Sequence, residues 1–586
     1  MNRVIPVSAL AVAIVAVLSG PSFAAETRGE QVVVTARGFA ETVDASRAQV
    51  VIIDRARIES RQTSDVLELL RLEAGVEFSR TGGRGGLTTL FGVRVSSANT
   101  GFYDFSQLPT DLIDRVEIVY GPRAAYWGSD AIGGVVQFFL RQPKSGLVGI
   151  RVGSKDQLDV FGAYAARGER GSLSASVGQQ NSQGFSSQNP GGFSFDPDPD
   201  GFENNHATLS AQTGIGGQDL SFTALSTDSW VEFDQGESEF DSLSAALTLA
   251  GDWNDRWSHR LSLSHGEDDV QTPAFFSAYE SARNSLDWQN RYSLGTAAHL
   301  SFGLNLQRER GGESETFAGS EVYREHRNNR AAHLGWSGDY GVHGFELATR
   351  IDDNSEFGAE QTLQAAWAWQ IADSWRLLTQ YGEGFRSPTL SEQYSPGFGG
   401  LFAGNPELDP ERSESLELGL RWQPDAEQEI AVQLYRTRVR DLIAFQGDNF
   451  QAINIARVRI DGAEFSYRRT LADWTFGGNL TLQDPENQDS NSDLLRRAPR
   501  KLNFSADYRL ASHWQVGAET VLVDRRAEFG GELPGYGLLN LSANYQLADR
   551  LKLGARVENL LNQNYELVRG YNTPGTTVTL GLVWGE

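Results

Sequence analysis

Beyond its first two dozen residues the chain has no long apolar run, yet apolar and polar side chains alternate with a period of two over most of its length. Leu173, Ala175 and Val177 form one such set; Leu416, Leu418, Leu420 and Trp422 form another. Further runs lie around 243–249, 365–369, 430–434, 502–508, 539–545 and 578–584. Period two marks strands with two unlike faces. Without an apolar run long enough for a helical span, a chain of this kind enters a membrane only as a closed barrel, because every backbone N–H and C=O must find a partner there.

The connectors sharpen this reading. Ile371-Ala372-Asp373-Ser374-Trp375, Leu471-Ala472-Asp473-Trp474, Leu510-Ala511-Ser512-His513-Trp514 and Leu547-Ala548-Asp549-Arg550-Leu551 follow one pattern, in which an apolar residue leads into a tight polar turn and usually an aromatic beyond it. Other connections, such as 184–205 and 384–411, are long and polar. Short turns at one rim, long loops at the other and an aromatic girdle are the marks of an outer-membrane barrel. A soluble propeller or sandwich would also alternate, but no repeat of fixed period supports a propeller. At about 10 residues per crossing, half of the roughly 440 residues from 145 to 586 would make about 22 strands. A barrel that wide encloses a channel or a plug.

At the N-terminus, Arg3 precedes an apolar stretch from Val4 to Leu18, followed by Ser22-Phe23-Ala24 with small-x-small spacing. The stretch is shorter than the roughly 20 residues of a spanning helix. A signal peptide over 1–24 is therefore expected, with a membrane anchor as the alternative. Cys is absent and Met is only the initiator, which excludes a disulfide scaffold and thiolate chemistry. A net charge of −25 opposes binding to phosphate backbones, so nucleic acid is not an expected partner.

Residues 44–143 differ in composition. They mix β runs at 50–53 and 116–120 with a helical pattern at 65–72, where Val66, Leu67, Leu69 and Leu70 share an apolar face. This predicts a small mixed α/β globule. Its Gly-rich pieces at 82–86 and 128–134 lack a Walker Lys and βαβ spacing, so they read as tight turns. The eight His, among them His206, His259, His265 and His343, follow no metal-ligand spacing, and nothing orders Ser, His and acid into a nucleophilic group. No enzyme activity and no organic cofactor are expected.

Two segments suggest binding. Glu30, Gln31, Val32, Val33, Val34, Thr35 and Ala36 are Val-rich and near the expected mature start; such a segment either adds as a strand to a partner's sheet edge or forms the globule's first strand. In Asp196-Pro197-Asp198-Pro199-Asp200-Gly201, alternate carboxylates offer hard oxygen ligands. The twelfth position is Ala207 rather than Glu, so this is no EF-hand. An acidic solvated loop without an ion is the other reading.

Asp114 to Val135, 381–390, 405–411 and Val557 to Tyr565 are similar to the plug, barrel and last-hairpin motifs of the TonB-dependent outer-membrane receptors, and the resemblance covers essentially the whole chain. It implies a mostly β fold: a large antiparallel transmembrane β-barrel of about 22 strands around an N-terminal mixed α/β plug. The implied division is signal peptide 1–24, periplasmic segment 25–43 with a TonB box at 30–36, plug 44–143 and barrel 144–586. The implied function is active transport of a scarce metal chelate across the outer membrane of a Gram-negative bacterium, energised by TonB from the inner membrane. The motifs look most like those of cobalamin-transporting members, which implies cobalamin as cargo and calcium on Asp196, Asp198 and Asp200, with Asp234 and Asp241 as weaker candidates. The alternatives are an iron-siderophore or haem receptor or, from a different class, a passive porin- or adhesin-like barrel with a vestigial plug.

Two departures stand out. Thr88-Thr89-Leu90-Phe91 runs directly into Gly92-Val93-Arg94, which implies a plug shortened near 90–92 by roughly twenty residues against the strand lengths expected. Family barrels commonly end on an aromatic residue, whereas Trp584 is followed by Gly585-Glu586.

Overall fold

The computed structural model describes residues 32–33, 37–85, 88–90, 97–101, 105–316, 319–397, 401–446 and 450–585. The expected signal peptide, most of 30–36 and the junction at 91–92 lie outside them. The architecture is a closed antiparallel barrel of 22 strands, running from Leu147–Gly153 to Thr577–Gly585. These two strands pair with each other, Leu582 opposite Ile150, and so remove the last free edge.

Alternation places the side chains. On Leu147–Gly153, Val148, Ile150 and Val152 are exposed on the outer wall while Arg151 between them is buried in the bore. The same division recurs with Leu416 and Leu418 outside and Glu417 inside. A protein with buried arginines and exposed leucines is inside out for water and correct for lipid. The short turns gather aromatic pairs at one rim: Trp367 on Trp369 at 6.0 Å between ring centroids, Trp474 on Tyr508 at 4.4 Å, Trp514 on Tyr545 at 4.5 Å. This is the girdle expected where headgroups meet the acyl region. At the opposite rim many strands run well past the roughly 10 residues a bilayer needs; Gln451–Leu471 spans 21. The long loops are consequently shorter than the sequence suggests, since 171–185 and 200–215 are strand nearly to their tips.

The plug fills the bore. A three-stranded sheet pairs β3 (Val50–Ile53) with β6 (Ile113–Tyr120), and β6 with β7 (Gly134–Leu140). Helices α1 (Arg55–Arg61) and α2 (Val66–Arg71) pack on it. The α2 start is fixed by Asp65, whose carboxylate accepts from the Leu67 amide at 2.8 Å, an N-cap worth about 1 kcal/mol. Its four apolar residues are fully buried against Ile53, Phe105, Val116 and Phe138, each contributing about 1.5–3 kcal/mol on burial. Thus the plug has a core of its own, to which the wall adds Leu225. β4 (Phe78–Arg80) pairs with β5 (Thr88–Leu90), the strand that ends at the expected shortening.

Candidate functional site

Beside small apolar contacts such as Leu72 with Val521 and Leu538, much of what the plug and barrel share is polar. Arg151 of the wall holds Asp111 of the plug with both terminal nitrogens, and both side chains are buried. Burial acts to raise the Asp111 pKa, but the Arg151 guanidinium overrides it and, with Arg55 and Arg141, holds the carboxyl below its usual value. Arg61 of α1 lies 3.4 Å from Glu73 of the plug and 3.4 Å from Glu519 of the wall. Arg556 completes this chain, donating to Glu519 at 2.9 Å and to the Arg61 carbonyl at 2.5 Å. Lys501 Nζ donates to the Val76 carbonyl at 2.6 Å. Arg123 donates to Gln380 at 2.8 Å.

A second tier lies toward the periplasmic rim. There Arg47 pairs with Asp339, Arg421 with Asp44, and Lys552 with Glu59 at 3.1 Å. Toward the loops, Tyr323 donates to Asn99 at 2.7 Å, and Asn99 to the Gly312 carbonyl at 2.7 Å. A plug seated on hydrogen bonds can exchange each for water at a net cost of about 0.5–1.5 kcal/mol, or about 1.5–3 kcal/mol where a partner is charged. Pulling an equally large apolar face into water would be opposed by its whole buried area. The interface is therefore strong in sum and separable piece by piece.

The N-terminal segment reaches the other side of the same sheet. Val32 and Val33 form β1, paired with β2 (Glu41–Thr42). Val33 is fully buried with Ala48 and Val119. Where the sequence alone allows a segment with unpaired backbone, these two residues are held on the plug; Glu30, Gln31, Val34, Thr35 and Ala36 lie outside the described residues.

On the extracellular side the structure gathers part of the aspartate set. The Asp200 carboxylate accepts from the Ser187 amide at 2.5 Å. Asp234 accepts from the Gln188 amide at 2.8 Å and from the Asp196 amide at 2.9 Å. Asp198 is exposed and within electrostatic range of Asp200. Asp241 is apart from them, exposed on strand 236–254 opposite Asp228 and Asp269. These bonds turn the Asp200 and Asp234 oxygens toward amides, and among the described residues no three acidic or imidazole side chains converge closely enough to hold a metal. As folded, the loop engages the Asp200 and Asp234 oxygens with backbone amides. It is sewn to the last extracellular loop, where Asn572 donates to the Ser186 and Gln188 carbonyls at 2.9 and 2.7 Å.

Sequence reasoning misses the lumenal arginines and Lys501. A signal is nonetheless present: Arg151 sits between Ile150 and Val152, and Lys501 is one of only four lysines, with Lys144, Lys155 and Lys552.

Comparison with known proteins decides the family. Residues 172–560 match the TonB dependent receptor-like β-barrel, and 42–135 match the TonB-dependent receptor plug domain. The chain is a TonB-dependent receptor. It is 27% identical to the vitamin B12 transporter BtuB of Vibrio cholerae, over 96% of this chain and 97% of that one. The BtuB of Photobacterium profundum matches at 27% over 93% and 94%. Among solved structures, the ferric enterobactin receptor PfeA of Pseudomonas aeruginosa superposes with a TM-score of 0.81 at 16% identity, covering 95% of this chain and 100% of that one. The copper transporter OprC superposes at 0.74 and 17%, covering 89% and 96%. These structural likenesses establish the shared fold. The receptor is a non-enzymatic transporter of the Gram-negative outer membrane.

Proposed function

We propose that the receptor's cargo is cobalamin. The observation that carries this reading is the match to vitamin B12 transporters over nearly the whole chain, plug and barrel together. In this reading the cargo binds above the plug, among the loops around 186–200 and 558–577, and no bond in it is made or broken. The segment Glu30 to Ala36 is the strand TonB takes. Its pull is transmitted through β1 and β2 into the sheet of β3, β6 and β7, and the polar contacts to the wall yield one after another. A passive porin does not suit a plug that has its own apolar core and is bonded to the wall from rim to rim.

Calcium belongs to this proposal as a loop-ordering ion on Asp196, Asp198 and Asp200. The support is that Asp200 and Asp234 accept from the adjacent Ser187 and Gln188 amides, and Asp234 also from the Asp196 amide; binding requires these two carboxylates to exchange amide donors for the ion.

Equilibrium binding to the detergent-purified receptor tests the cargo. Cyanocobalamin is expected to saturate one site, with a ferric catecholate and haemin failing to compete. Saturable binding of the ferric catecholate without cobalamin binding would replace this reading with the siderophore one.

A further inference from the structure

On the outer wall, the stretch formed by strands 236–254, 257–272, 277–293, 298–315 and 321–340 carries exposed arginines. Leu304 and Leu306 face outward, and the next two outward positions toward the extracellular rim are Arg308 and Arg310. Arg308 stands opposite Asn284 and Asn328, and Arg330 opposite Leu306. All three arginines are exposed, and among the described residues none has an ion-pair or hydrogen-bond partner.

A second basic stripe across the barrel behaves differently. There Arg436 pairs with Asp461, Arg438 and Arg440 with Glu414, Arg457 with Asp489 and Arg459 with Glu486. Around the first stripe the nearby carboxylates are mostly taken: Glu267 by His265 at 2.8 Å, and Glu280 by Arg324. Asp269, within electrostatic range of Arg310, and Asp353, opposite Arg330 in register, form no ion pair with them.

Beneath the arginines runs a shallow open groove of about 600 Å³. It is lined by Leu247, Leu263, Leu286 and Leu306 and by Arg308 and Arg330. An unpaired guanidinium on the lipid face is costly toward the bilayer centre and tolerable at the interface, where its forked donors match phosphate oxygens in pairs. One row of the groove runs through Leu247, Leu263, Leu286 and Leu306 and ends on Arg330, and Arg308 is the next outward position toward the extracellular rim, so an apolar row meets two cations in a chain of net charge −25.

We infer that this groove holds one acylated, phosphate-bearing glycolipid of the outer leaflet, its phosphates on Arg308, Arg310 and Arg330 and an acyl chain along the leucine row. The site is separate from the cargo path, so its test does not depend on which chelate is carried.

The test titrates purified lipopolysaccharide with a minimal sugar core, and its dephosphorylated form, against the detergent-purified receptor by native mass spectrometry. One lipid is expected to stay bound, with at least about tenfold weakening on loss of the phosphates or in the R308Q/R310Q/R330Q variant, the size of losing one charge-assisted hydrogen bond or more. The R436Q/R438Q variant is expected to retain the lipid. Heat-modifiable migration verifies that each barrel is folded. Equal retention by both variants, equal binding of the dephosphorylated lipid, preference for a phospholipid, or a second receptor copy in place of lipid would each overturn the inference.

Discussion

Arg151 and Asp111, 40 residues apart in the chain, form a two-pronged ion pair that ties the first barrel strand to the plug. Its value depends on completeness, because a buried charge that loses its partner keeps the cost of desolvation and gains nothing in return.

Asp111→Asn should therefore loosen the plug by about 3–5 kcal/mol, the usual cost of breaking a buried pair, while leaving the barrel folded. Hydrogen exchange over 105–120 measures this, with heat-modifiable migration as the barrel control. Arg151→Met combined with Asp111→Leu should recover much of the loss, since two apolar groups leave no charge stranded.

The same pair sets an acid limit. Because the Asp111 carboxyl titrates below its ordinary value of 3.8, its contribution is fully present above 3.8 and disappears as pH falls through the lowered value. Plug exchange attributable to this pair should be flat between about pH 5 and 7 and rise only in stronger acid. The difference between the wild type and Asp111→Asn should vanish at that acid end; a difference that disappears near neutrality would contradict the assignment.

Val33→Pro removes a backbone donor from the segment assigned to TonB. Energised uptake should fall to the level of cells lacking TonB, whereas cargo affinity of the purified receptor should change by less than about twofold, an effect below 0.5 kcal/mol. Retained uptake would show that force enters elsewhere.

Calcium should tighten cobalamin binding to the wild type and leave the D198A/D200A variant unaffected. An unchanged calcium response in that variant would remove the ion from these aspartates.

The barrel was legible because lipid and a polar lumen impose opposite demands on adjacent residues, so period two is written plainly in sets such as Leu416, Leu418 and Leu420. The girdle was legible from Trp375, Trp474 and Trp514 following tight turns. Helix α2 showed its apolar face, whereas α1 did not: only Ile58 of its seven residues is both apolar and buried, and its arginines are committed to acceptors on the wall and the plug. The plug–barrel contacts could not be read in advance, since a lumen-facing Arg looks like any polar residue in an alternating strand until its partner, tens to hundreds of positions away, is folded beside it. A short helix at Leu390–Tyr394, capped reciprocally by Thr389 and Glu392, was also unseen inside a loop that reads as merely long and polar.

The most direct measurement is accumulation of radiolabelled cobalamin by cells in which this chain is the sole receptor for it, with and without TonB. A plug that must be pulled predicts accumulation when TonB is present and background levels when it is absent. Equal accumulation in both would mean an open bore, and the stoppered-barrel account would fail.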